Sequence, residues 1–452
     1  MNERVSFHFI TAILSVSLSV ALFCSFAFGQ SSTRKKPKLK DFGSSVKRLK
    51  WDPDRNAAVE TRAKKDKTNA AEQEDVVRVE TSLVVSDVLV LDQRGQPVPG
   101  LTQNDFVVTE DGKPQQVGMF SRGDNVTVPR SIVLIIDYGC TQLPFLEASV
   151  EAAKNLVDKL GPRDSMAIVT DDVELLVNFT QDKRKLKDRL DALKRRTRPD
   201  ASNFSDTRRF RVPFGRGFQY SALMAVLKEA FDDEDERPII IFQTDGSEAK
   251  LLRNPIVSPS VPPGLPSDMQ AEEQGNLEHF RRFQLRNPRE FGLNDVYQAA
   301  EKSRTTIYTI VPGFRLIGLS NDEQVAQTKA YYEREISYST SPTLLKHEQD
   351  RLKRMPIEWV RYEAEQQLKL QSALAVLSTI AGGWIEFFDQ PSQADGIYSR
   401  ILSDINRRYV VGYYPTKKEH DGKRRKVKVE VRGHPEYTVT GRKSYFAAGP
   451  DQ

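Results

Sequence analysis

Apolar positions change rhythm several times along this chain, and each rhythm predicts a different element. From Val76 to Asp92 apolar and polar residues alternate, as in a strand with one buried face. A turn, Gln93 to Pro97, follows, and two further short strands, Asp105 to Lys113 and Val117 to Phe120, carry an Asp111-Gly112 hairpin signal. The rhythm then stops. Ser131 to Ile136 is a run of buried-strand composition without polar alternation that ends at Asp137, and Arg237 to Gln243 is again such a strand before Thr244, Asp245 and Gly246. Runs without polar alternation predict strands covered on both faces, as in a parallel sheet flanked by helices.

Around these strands, helical spacing marks Phe145 to Leu160, Lys183 to Arg195, Tyr220 to Phe231, Asn294 to Ser303, Gln371 to Ala381 and Ala394 to Arg407. Strand patterns mark Asp164 to Thr170, Val173 to Phe179, Thr306 to Val311 and Trp384 to Phe388. The alternation predicts an α/β fold with a doubly wound, mostly parallel, Rossmann-like sheet over about 128–408. Ligands of such sheets bind at the carboxyl ends of strands, so Asp137 and Asp245 are the first site candidates.

Two interruptions stand out. Residues 251–291 are rich in proline and mixed charge and predict an exposed loop on the side of the strand-end aspartates, either ligand-contacting or simply solvated. Residues 314–370 repeat apolar positions near helical spacing, with a break at Pro356. That helical arm either meets a partner helix or packs on its own domain. At the end of the chain, Arg408 to Tyr414, Arg425 to Val431 and Tyr437 to Phe446 read as strands. Alone, residues 76–122 and 409–446 would each expose an apolar face and open edges, so they are expected to pair as one β-sandwich with the α/β domain inserted between them.

Residues 1–29 combine Arg4, an apolar segment and the small-x-small sequence Ala27-Phe28-Gly29, the form of an export signal cleaved before Gln30. The segment is also close to the length of a membrane span, so an uncleaved anchor is the rival. Residues 30–75 are dominated by charged and small polar residues and predict a disordered tether.

Of 452 residues, 67 are basic and 62 acidic, a formal charge of +5 that gives no case for nucleic acid. Of the two cysteines, Cys24 lies in the signal, and Cys140 is left as either a small buried hydrophobe or a reactive or ligating thiol. No G-x-S-x-G elbow, H-E-x-x-H or phosphate-binding loop occurs, and His8, His279, His347, His420 and His434 all lie away from the strand ends. A non-catalytic protein is expected.

Asp137-Tyr138-Gly139-Cys140-Thr141 and Thr244-Asp245-Gly246 resemble the D-x-S-x-S and T-D-G loops of the von Willebrand factor A domain. Gly215 to Leu223 is similar to that family's G-G-T-x-L-Y-x-A-L, with Gly217 at the threonine position. The upstream order V-x-D-x-x-G-x-P-V-x-G-L-x-x-x-D-F-x-V-x-E-D-G-K, and Arg408 to Pro415 at the other end, resemble the VWFA-related family of exported, Acidobacteria-type bacterial proteins. The resemblance implies a secreted or periplasmic protein-binding or adhesion module. It also implies a divalent cation, Mg2+, held by Asp137, Thr141 and Asp245, with a partner's acidic side chain completing the coordination. Gly139 and Gly217 supply no side-chain oxygen, which makes the site degenerate, with Ser221 or Ser247 as substitutes. If the cation is lost, Asp137 and Asp245 serve to cap their loops, and the protein becomes a metal-independent scaffold binding through its helical insertion. The partner's identity is not legible.

Overall fold

The two rhythms fold as two kinds of sheet in the computed structural model, which describes residues 49–52, 57–60, 83–122, 129–139, 142–195, 218–231, 237–257, 260–261, 264–286, 289–337 and 342–447. In chain order, β1 (Leu49–Asp52) and β2 (Ala57–Glu60) pair with each other, and β3 (Val84–Leu91), β4 (Phe106–Glu110), β5 (Lys113–Gln115) and β6 (Val117–Arg122) follow. The α/β part begins with β7 (Arg130–Ile136), α1 (Leu143–Asp158), β8 (Ser165–Thr170), β9 (Leu175–Thr180), α2 (Lys183–Lys194), α3 (Gln219–Glu229) and β10 (Arg237–Gln243). It continues through α4 (Ser267–Arg286), α5 (Leu293–Lys302), β11 (Thr306–Pro312), α6 (Asn321–Ser337), α7 (Pro342–Arg354), α8 (Ile357–Ile380), β12 (Ile385–Phe388) and α9 (Ala394–Arg407). Strands β13 (Tyr409–Tyr413), β14 (Arg424–Val431), β15 (Thr438–Thr440) and β16 (Ser444–Phe446) close the described chain.

The central sheet has the order β12-β11-β10-β7-β8-β9, parallel except for β9, which runs antiparallel to β8. Successive residues of β7 serve opposite cores. Ile132, Leu134 and Ile136 pack with α1, α2 and α9, and Val133 and Ile135 with α3, α5 and α8. Each such fully buried aliphatic contributes about 1.5–3 kcal/mol relative to exposure, which is why β7 and β10 tolerate no polar alternation.

The remaining strands form two four-stranded antiparallel sheets, β15-β3-β13-β6 and β16-β14-β4-β5. Both mix strands from the beginning and the end of the chain: Tyr409 pairs with Val88, and Val431 with Phe106. Val84, Val88, Val90 and Tyr413 from one sheet share a core with Phe106, Val108, Val427 and Val431 from the other. Within that core Glu110, 2% exposed, accepts from Tyr413 Oη (2.9 Å) and Tyr445 Oη (2.8 Å). The Asp111-Gly112 turn closes the β4–β5 hairpin with positive φ at both residues, 46° and 81°.

The 251–291 segment is corrected from an exposed loop: it contains the 20-residue α4. Pro255, Pro259, Pro262, Pro263 and Pro266 lie before the helix, and Leu265 and Met269 are buried with Trp359 and Val360 of α8. Contact with another insertion, not local periodicity, makes this segment a helix. The break at Pro356 is real, since that residue is the N-cap of α8, and α8 then runs through the separate helix expected from Gln371. Trp359, Ala364 and Leu370 of α8 all pack within the chain. Within the expected tether, β1 and β2 are paired strands, whose alternation around Asp52 to Asn56 is strand-like. The signal segment and the rest of 30–75 lie outside the described residues. Among the described residues no helix is long and apolar enough to cross a membrane.

At the amino ends of the central strands, buried arginines meet aspartates. Arg130 donates from Nε to Asp164 (2.7 Å), Arg237 from Nε to Asp87 of β3 (2.5 Å), and Arg408 from Nε to Asp404 (2.8 Å). Arg408 also reaches the carbonyls of Gly382 (2.7 Å) and Asp87 (3.3 Å). This end of the sheet is thereby bonded to the β3–β13 layer, at the side opposite the carboxyl ends.

Candidate functional site

Three segments meet at the carboxyl edge: the loop after β7, the first turn of α3, and the loop after β10. Backbone bonds fix their places, from Asp137 N to Gln243 O (3.1 Å) and from Phe218 N to Asp171 O in the turn after β8 (2.7 Å). The glycine of Thr244-Asp245-Gly246 is required. Its φ is +71°, and a Cβ there would stand 3.0 Å from Leu374 Cδ1.

Asp137 is 1% exposed, accepting from Gly139 N at Oδ1 (2.8 Å) and from Gln219 Nε2 at Oδ2 (3.0 Å). Half-buried Asp245 accepts from Ser247 N (2.8 Å) and, at the same Oδ1, from Gln219 Nε2 (3.2 Å). Gln219 Nε2 lies 3.1 Å from Ser247 Oγ as well. One amide nitrogen therefore faces two carboxylates and a hydroxyl. Its orientation is fixed, because Gln219 Oε1 must accept from Glu248 N (3.1 Å) and a flipped amide would set donor against donor. Burial raises the Asp137 carboxyl well above its ordinary value of 3.8, and the neighbouring Asp171 and Asp245 charges push it the same way.

Behind this cluster Glu248, 0% exposed, accepts from Ser221 N (2.9 Å), Ser221 Oγ (2.7 Å) and Arg289 Nε (2.5 Å). Arg289, from the end of the first insertion, lies over the Phe218 ring at 4.1 Å, so the insertion is fastened to the site. Farther out, a cavity of about 130 Å3 between the insertions is lined by Lys250, Tyr332, Arg351, Trp359, Tyr362 and Glu363 among others. The Glu363 carboxyl is pushed up by burial.

The structure thus brings Asp137 and Asp245 together, as their strand-end positions predict. Thr141, with Cys140 and Gly217, lies outside the described residues. Ser247 joins the cluster, whereas Ser221 is turned to Glu248. Both aspartates also accept from the N–H two residues ahead, the loop-capping role open to them without a cation.

No protein-family profile matches the chain, and no curated protein matches it. Among solved structures it is similar to BatB from Bacteroides thetaiotaomicron (12% identity, 61% of this chain and 98% of that one, TM-score 0.30). The vWF domain of the type V pili tip protein Mfa5 from Porphyromonas gingivalis is also similar (15%, 62% and 96%, 0.31), as is a von Willebrand factor type A protein from Catenulispora acidiphila (10%, 76% and 73%, 0.31). The fold of this chain, mixed α/β with a mostly parallel six-stranded sheet, stands on its own strand order.

The donor set decides whether these residues suit the divalent cation that the resemblance implies. Among the described residues no group of three or more histidine, cysteine, aspartate or glutamate side chains is gathered for a metal. The place between Asp137, Asp245 and Ser247 is taken by an N–H2 group, which presents protons and no lone pair. As arranged, the described residues do not fit a cation. Gln219 is the residue that sequence reasoning missed. Its signal was a polar side chain at the position where the quoted G-G-T-x-L-Y-x-A-L pattern has its first leucine.

Proposed function

We propose that the chain is an exported, non-catalytic protein-binding module, its α/β domain carried on a β-sandwich built from both ends of the chain. It presents the carboxyl edge of the central sheet, with the insertion helices beside it, to a protein partner. The observation that carries this reading is the chemistry of the edge. Three segments converge there on acceptors and an amide, and no histidine stands among the described residues of the cluster. The close hydroxyl–carboxylate pair of Ser221 and Glu248 is committed to Arg289 and to the Ser221 backbone, so it forms a cross-link and not an activated nucleophile. Of the two forms of this reading, the metal-independent one is favoured by the amide of Gln219 between the aspartates. Export rests on residues 1–29, and intact mass of the native protein tests it: a chain beginning near Gln30 in an extracytoplasmic fraction supports export, and one retaining Met1 in the soluble cytoplasm ends it.

Leu285, near the end of α4 and 81% exposed, offers a probe of the binding face. Full-length wild type and Leu285→Glu are compared by cross-linking in the native envelope followed by quantitative mass spectrometry. Loss of specific cross-linked partners with an unchanged Tm supports the assignment. Identical partner sets for both, or none for the wild type, contradict it.

A further inference from the structure

We infer that the side-chain amide of Gln219 does the work of the cation that the resemblance implies, as a built-in cross-link that makes this edge of the sheet indifferent to divalent metals. A bound cation in such a place gathers oxygens from separate loops. Here the gathering is done from within the chain, by an amide whose two ends are both in use. Nε2 reaches Asp137 Oδ2, Asp245 Oδ1 and Ser247 Oγ at 3.0–3.2 Å, and Oε1 takes the Glu248 N–H at 3.1 Å. Gln219 is 1% exposed, so these bonds are made out of competition with water.

The segments tied are the loop after β7, the start of α3 and the loop after β10, the three that the cation would otherwise join. Gly139 fits the same picture, because a loop held by an amide needs no hydroxyl at that position. An amide suits the charge as well. It offers two protons to the Asp137 and Asp245 carboxylates and adds no charge of its own. The assignment goes beyond the binding role and concerns the chain alone.

The test uses the purified full chain, with no partner present, so that its failure and failure of the binding reading stay separate. The wild type and Gln219→Glu are melted in chelator and in excess Mn2+ or Mg2+, and free Mn2+ is followed by electron paramagnetic resonance. The wild type is expected to show no cation-dependent change in Tm and no depletion of free Mn2+. Gln219→Glu puts a third carboxylate among the same oxygens; it is expected to melt lower in chelator and to recover with Mn2+. A site filled at a hundred times its Kd would raise Tm by several degrees, well above scatter. Should Gln219→Glu fail to fold, the wild-type titration alone decides. A rise in wild-type Tm with Mn2+ that disappears in Asp245→Ala would overturn the inference, since the amide would then have moved aside for a metal.

Discussion

The two ends of the central sheet solve the same problem differently. Both hold aspartates largely away from water: Asp164 before β8, Asp87 within β3 and Asp404 in α9 at one end, Asp137 and Asp245 just after β7 and β10 at the other. At the amino end each has an arginine: Asp164 with Arg130, Asp87 with Arg237, Asp404 with Arg408. At the carboxyl end Asp137, no more exposed than Asp404, meets a backbone N–H and a neutral amide, with Asp171 and Asp245 pressing on it. A buried carboxylate opposite a guanidinium is balanced and closed, and it joins two layers of the molecule. One opposite an amide is bonded but not neutralised. The first arrangement is that of an internal joint, the second that of an edge held by an uncharged cross-link.

The largest effect is expected from removing the layer on which the balanced end rests. A chain ending at Asn406 lacks Arg408 and strands β13 to β16, and it should lose amide protection throughout Val84–Leu91 and Phe106–Glu110 in hydrogen exchange. Protection there equal to that of the full chain would make the two β segments independent. Next, Arg408→Ala leaves Asp404 buried without its charge partner and strands the carbonyls of Gly382 and Asp87. Breaking a buried pair in this way costs about 3–5 kcal/mol, to be read from chemical denaturation. A loss below about 1 kcal/mol would mean that this end is no better balanced than the other.

At the carboxyl end the prediction concerns pH. The folded Asp137 carboxyl is held above its unfolded value, so its contribution is fully present below the unfolded value and is lost as pH rises through the folded one. Asp137→Ala is therefore expected to cost about 1–3 kcal/mol in mildly acid buffer, for the bonds it removes, and progressively less toward alkaline pH. A gap from wild type that widens with pH would show that a cation or another positive group holds the carboxylate charged. The smallest effect is expected on the surface of α4. There Glu278 meets Arg282 at 3.3 Å with both side chains more than half exposed, and Glu278→Ala should leave Tm unchanged within error.

Much of the frame was legible because burial on both faces writes itself into sequence as unbroken Ile and Val. The ends of β7 and β10, and with them Asp137 and Asp245, follow from where those runs stop. What was not legible depends on distant partners. Helix α4 is charged and follows prolines, and its apolar face becomes evident only against Trp359 and Val360, some ninety residues away. Gln219 is ambiguous for the same reason: at a helix start a glutamine is ordinary, and only the convergence of two other loops turns its amide into a cross-link. The site was read from the oxygens it lacked, and the nitrogen that stands among the remaining ones lay outside the pattern being matched.

The pairing of Tyr409 with Val88 also sets an order of events during synthesis. Arg408, which bonds to the Asp87 carbonyl, is made 321 residues after it. At translation rates of roughly 5–20 residues per second, β3 waits between about a quarter of a minute and a minute for its partner. Through that interval the alternating valines of Val84–Leu91 have no sheet to join, and any chain released early carries them bare. Residues 409–446 therefore decide when β3 and β4 are covered, since only a chain that has reached β13 and β14 can pair them.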